Sequence, residues 1–103
     1  MPEARKDDAK KGRYDLLPPA ALDAVVAALT EGAENYGAHN WQENGGLAYS
    51  RVFAAAQRHL WAFWGGGDHD PDSGDLHLAH AACCVLFLLS YQLGTSGQDD
   101  RTI

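Results

Sequence analysis

The stretch "LHLAHAACCVLFLLSYQL", residues 76–93, constrains what this chain can fold into more than any other. Ala81–Leu89 runs nine residues without a charged or strongly polar side chain. As a helix that run is about 14 Å long, too short to cross a bilayer core of about 30 Å. A helix apolar on nearly every side belongs at the centre of a core or in a contact between subunits. A chain of 103 residues has little protein with which to surround it. The expectation is an all-α, compact three-to-four-helix domain, completed by association into a dimer or tetramer.

The remaining pattern agrees with that class. Pro18 and Pro19 suit the first turn of a helix, where a missing N–H costs little. Leu22, Val25, Val26 and Leu29 then recur at helical spacing, with Gly32 or Gly37 as the stop. Residues 35–48, rich in Gly and Asn, read as a structured loop. Ser50 is the expected N-cap of a second helix at about 51–64, whose Phe53, Ala56, Leu60 and Phe63 form one apolar stripe. Gly65, Gly66 and Gly67 end it. Asp70 or Ser73 is then expected to cap a third helix at about 74–93. No segment alternates with period two, which excludes a half-buried strand. Residues 1–13 read as a flexible charged arm, 14–95 as a single helical domain, and 96–103 as a polar tail.

Charge narrows the partners. The net charge is −6, yet the first thirteen residues hold five basic against three acidic side chains. The rest holds three arginines against eleven acids. An acidic body argues against a nucleic-acid polymer or a membrane surface as partner. It admits a small anion only where a metal or a cluster of donors reverses the local sign. Cys83 and Cys84 are adjacent and point in different directions on a helix, so they read as reduced thiols rather than a disulfide framework. The charged N-terminus has no apolar targeting core, and a cytoplasmic location is expected.

The chemistry concentrates in "GDHDPDSGDLHLAH", residues 67–80, with four aspartates and three histidines. His77 and His80 are three apart, so both rings share one helical face and can share a metal; Cys84 continues that face. Capping explains one or two of the aspartates. Asp68, Asp70 and Asp72, at alternate positions, can supply oxygen ligands to magnesium or manganese, but the downstream glutamate of an EF-hand is missing. Glu31 and Glu34 form an ExxE pair without the second acidic half that a magnesium-triphosphate site of that type requires. Arg58 is the one arginine between residues 52 and 100, and a phosphate in an acidic surround needs a fixed cation. Tyr36 and Trp41 can stack on a base, and Asn40 can read its edge.

In order along the chain, "RYDLLPP" (13–19), "LTEGAENYGAHNW" (29–41), "RHLWAFW" (58–64), "DHDPDSGDLHLAHA" (68–81) and "DDR" (99–101) resemble the phage and prophage dATP/dGTP diphosphohydrolase N-terminal-domain family. The resemblance spans roughly residues 10–101. It implies a MazG-like helical scaffold, in a phage-related context, that hydrolyses a purine deoxynucleoside triphosphate to monophosphate and pyrophosphate. The matching positions are Asp15, Tyr36, Gly37, Asn40, Trp41, Arg58, His59, Asp68, Asp70, Ser73, Gly74, His77 and His80. The chain departs from the family at Glu31 and Glu34, where an aromatic and a lysine are usual, and at "KKGR" (10–13), which replaces a GKPR-like run.

The site expected on these grounds has His59, Asp68, Asp70, His77 and His80 as catalytic residues. Asp68, Asp70, His77 and His80 would ligate a divalent metal, magnesium or manganese. Arg58, Tyr36, Asn40, Trp41, Lys11, Arg13 and Asp15 would hold the nucleotide. The alternative is a nucleotide-binding protein without turnover, a phage sponge that sequesters a signalling nucleotide in the same pocket. Bound divalent metal separates the two.

Overall fold

Helix α1 (Pro19–Tyr36) starts where the prolines predict, with Pro18 extended ahead of Pro19. It stops at Gly37, whose φ of +98° suits glycine and whose N–H donates to the Ala33 carbonyl at 2.8 Å. Two more helices follow, α2 (Tyr49–Trp64) and α3 (His77–Leu93), with short 3₁₀ turns at Tyr14–Leu16 and Asn40–Gly45. The computed structural model describes residues 3–94 and 96–102. Met1 and Pro2 of the charged arm, Thr95 at the domain boundary and Ile103 of the tail lie outside the described residues. Among these residues the chain is all-α, and no helix is long and apolar enough to cross a membrane.

Two helix starts differ from the sequence expectation, each for a local reason. Helix α2 begins at Tyr49, and Ala48 in the cap position has no side chain to offer. Ser50 lies inside the first turn, where its N–H donates to Asp100 Oδ1 at 2.9 Å and its hydroxyl to Asp100 Oδ2. The cap is a carboxylate from fifty residues downstream. The tail is thus a strap across the start of α2. Gly97 N–H donates to Gly45 O at 2.7 Å, Gln98 N–H to Leu47 O at 3.0 Å, and Tyr49 N–H to Gln98 O at 2.9 Å.

Helix α3 begins at His77, three residues later than expected from Gly74, and neither Asp70 nor Ser73 caps it. The acidic stretch before it closes on itself as a hairpin. Asp70 N–H donates to Asp75 O at 2.8 Å, Gly74 N–H to Asp70 O at 2.7 Å, and His77 N–H to Asp68 O at 2.9 Å. Those bonds occupy the backbone groups that a longer helix would have used.

Helices α1 and α2 each pack on α3. Ala79 and Cys83 share one face of α3 and Ala81 lies on the opposite side, all three buried. Ala28 of α1 meets Ala79 and Cys83, with Val25, Leu29 and Phe87 packed around them. The Cys83 thiol, directed at the Val25 carbonyl, is pushed up to about 11 by burial. On α2 the buried residues are Val52 and Ala56. The stripe expected to face the core is displaced: Phe53, Leu60 and Phe63 are exposed, Phe53 to 57%. The side of α2 turned inward is the one with the smaller side chains Val52 and Ala56.

Tyr91, 2% exposed, secures the end of α3. Its hydroxyl donates to the Trp41 carbonyl and accepts the Leu47 N–H at 3.3 Å. Gly97 lies against its ring at φ +86°, and a Cβ there would sit 2.4 Å from Tyr91 Cγ. Gly97→Ala is therefore expected to cost at least about 2 kcal/mol, from overpacking and left-handed backbone together. Gly32→Ala is the opposite case: it is inside α1 with nothing within 4 Å of its would-be Cβ. It should stabilise by about 0.5–1 kcal/mol. Urea unfolding of both variants checks the pair, and equal midpoints would contradict this account of the strap.

Candidate functional site

The hairpin before α3 aims its side chains. Asp70 Oδ1 accepts the Asp72 N–H at 2.8 Å, a local turn bond that fixes the carboxylate and holds the Asp70 carboxyl below its usual range. The other oxygen, Oδ2, is then 3.9 Å from His59 Nδ1 on α2. His59 Nδ1 is 3.0 Å from Nδ1 of His77, the first residue of α3. His59, Asp70 and His77 each present one ligand atom, all within 4.8 Å of one another. The cluster is largely shielded, His77 being only 8% exposed.

His80, one turn further along α3, stacks on His59 with centroids 4.9 Å apart and planes 15° apart. Its Nε2 lies 3.1 Å from Ser73 Oγ and 3.2 Å from Asp75 Oδ2. The better-directed bond goes to Ser73, which leaves Asp75 Oδ2 buried without a directed hydrogen bond among the described residues. Glu31 of α1 comes up beside this group, and the Asp75 carboxyl next to it raises its proton affinity.

A cleft of about 960 Å³ opens between α1, the loop after it and α3. Glu31, Tyr36, Asn40, Trp41, Arg51 and His80 are among its lining residues. A smaller cleft of about 410 Å³ adjoins it along α2, sharing Leu47, Arg51, Cys84 and Phe87 and adding Arg58. His80 belongs to both the cleft and the histidine cluster, so it joins a polar, metal-competent corner to a largely apolar groove.

The residues expected from the sequence separate accordingly. His59, Asp70, His77 and His80 converge. Asp68 contributes its carbonyl to His77 N–H, and its side chain is exposed. Tyr36, Asn40 and Trp41 line the main cleft and Arg58 the adjoining one. The Trp41 ring is stacked on Phe87 at 4.6 Å, so one face is already taken, whereas Tyr36 is 73% exposed. Lys11, Arg13 and Asp15 lie outside both clefts, and Arg13 is held by Asp15 at 2.7 Å. They precede α1, which at eighteen residues is about 27 Å long, while the cleft lies along its second half. Glu31, Arg51, Ser73 and Asp75 enter the site without having been singled out as site residues. For Arg51 the available signal was its seven-residue spacing from Arg58, which puts both on one helical face.

Comparison with known proteins follows the same lines. The sequence matches the family described as "dATP/dGTP diphosphohydrolase, N-terminal" over residues 1–101. It is 33% identical over 96 residues to a "dATP/dGTP diphosphohydrolase" of Salmonella phage PMBT28, covering 93% of this chain and 32% of that protein. The chain thus spans about a third of the length of that relative. No solved structure matches it.

Burial pushes the His59 imidazole below its ordinary value; His80, His77 and Arg58 add to this, while Asp70 opposes it. The unfolded chain therefore binds the His59 proton more readily than the folded one. Stability from this group is complete above the ordinary histidine value of about 6.5 and is lost as pH falls from there through the lowered folded value. Acidification from pH 7.5 to 5 should lower the melting temperature. His59→Gln should flatten that dependence between pH 6.5 and 5, and an unchanged slope would exclude His59 as its source.

Proposed function

Because this chain belongs to the dATP/dGTP diphosphohydrolase N-terminal family, we propose that it binds a purine deoxynucleoside triphosphate and hydrolyses it, with a divalent metal, to monophosphate and pyrophosphate. The observation that carries this reading is the convergence of His59, Asp70 and His77 beside a nucleotide-sized cleft. The donor set fits a metal. Two ligands about 2.1 Å from one ion lie about 3 Å apart when adjacent, and the two Nδ1 atoms are 3.0 Å apart. Burial keeps the His59 lone pair available near neutral pH. Two imidazole nitrogens and one carboxylate suit manganese better than magnesium, which prefers oxygen and water.

A bound divalent ion would neutralise the phosphates and make a water molecule more acidic. The chain's own groups then have separable tasks. Asp70, His59 and His77 would hold the ion. With its Nε2 engaged by Ser73, His80 has its second ring nitrogen left to take a proton from water, the arrangement of a general base. Tyr36 offers an open ring face to a base and Asn40 an amide to its edge.

The active form is an oligomer. Leu78, Val85, Leu89 and Leu93 recur along the side of α3 turned away from the cleft, and all are exposed, Leu93 to 82%. Phe53, Leu60 and Trp64 form the corresponding stripe on α2, with Trp64 87% exposed. Contiguous apolar area on this scale marks an interaction surface, and a second copy presents a matching one. Light scattering should give at least twice the 11.1 kDa chain mass, and Val85→Glu with Leu89→Glu should give monomer; a monomeric parent would overturn this.

Incubation with each deoxynucleoside triphosphate and manganese or magnesium, followed by product chromatography, tests the activity. His59→Gln and His77→Gln should each weaken manganese binding at least tenfold by calorimetry. His80→Ala should keep the metal but lose roughly 10²–10⁴ in turnover, the range for a general base. Binding without any product, with or without metal, would favour the sequestering alternative.

A further inference from the structure

Of the three arginines in the acidic body, Arg101 is held by Asp99 at 2.6 Å and stacks over Tyr49. The other two, Arg51 and Arg58, make no ion pair or side-chain hydrogen bond among the described residues. Both line the groove along α2, Arg51 reaching both clefts and Arg58 the smaller. Eleven acids are present in that body, so two unneutralised guanidinium groups on one wall are not a consequence of scarce partners. They are seven residues apart, two helical turns, which separates them by about 10 Å along one face of α2. His59 follows Arg58 on the next face of α2, near enough that the Arg58 charge helps to push the His59 imidazole down.

We propose that Arg51 and Arg58 together form an oligophosphate-binding wall, with Arg51 a substrate-binding residue that recognises the phosphate chain rather than the base. This rests on the nucleotide reading above and assigns the orientation within it: phosphates along α2 toward His59, base toward α1 and Tyr36. The planar guanidinium fork receives phosphate oxygens in pairs. Among the described residues, the floor between the two arginines, with Cys84 and Phe87, has no competing carboxylate. The main cleft's acids, Glu31 and Asp72, do not line this smaller cleft.

The test is calorimetric titration of the intact chain with inorganic tripolyphosphate, with a purine deoxynucleoside triphosphate and with the corresponding nucleoside, in the presence and absence of manganese. Arg51→Gln and Arg58→Gln should each weaken tripolyphosphate at least tenfold and leave the melting temperature unchanged. The triphosphate should weaken in parallel and the nucleoside by less than twofold. Arg51→Lys should recover part of the loss and Arg51→Gln should reduce the salt dependence of binding. If the parent binds the nucleotide and Arg51→Gln binds it equally well, the wall is wrong and the proposed function stands. If tripolyphosphate binds through both arginines but no purine nucleotide binds more tightly, the nucleotide reading fails and the wall survives as an oligophosphate site. If the parent binds neither, both are overturned.

Discussion

Everything in this domain depends on how closely two helices can approach α3. Between buried His77 and Tyr91 its inward residues are alanines and a cysteine, and the helices packed on it, α1 and α2, bury Ala28 and Ala56. Small residues bring helix axes together and gain dispersion contacts along their length, but they fill little volume. With α1 and α2 each seated on α3, the space between them is left as a groove. The cleft is a direct result of a core built from small side chains.

The same economy explains the outer surface. Among the described residues the buried apolar core numbers seven, small even for a short domain. The leucines, valines and tryptophans that would enlarge it are on the faces of α2 and α3 opposite the groove. One side of the helical layer is thereby free for a ligand and the other for a partner. A mutation on one side need not disturb the other, since α3 separates them.

The sequence made some of this plain and hid the rest for physical reasons. The all-α class and the start of α1 were legible, because Pro18 and Pro19 act locally; its stop was narrowed to Gly32 or Gly37, and the helix runs through the first to the second. The start of α2 was not, because its capping group is Asp100 and nothing near Ser50 announces it. The start of α3 was misplaced because Asp70, Ser73 and Asp75 satisfy one another in a hairpin instead of the helix. His77 and His80 could be paired from their spacing, whereas the shorter approach, His59 to His77, crosses between helices and has no sequence period. Trp41 looked free in a polar loop, yet Phe87 lies under it. Arg13 and Asp15 stood out as part of a matching block, yet each satisfies the other at the far end of α1.

The Asp100 cap also sets a timetable for synthesis. At about 5–20 residues per second, the fifty residues between Ser50 and Asp100 take roughly 3–10 s to emerge. Throughout that interval α2 exists without the carboxylate for its first turn, and for most of it without a complete α3 beneath it. A segment of this length is marginal as an isolated helix, and its Phe53, Leu60, Trp61 and Trp64 are in water whether it is helical or not. The nascent chain therefore passes through seconds in which its stickiest segment has no native shelter, a window in which a chaperone or a neighbouring nascent copy competes with the chain's own later residues.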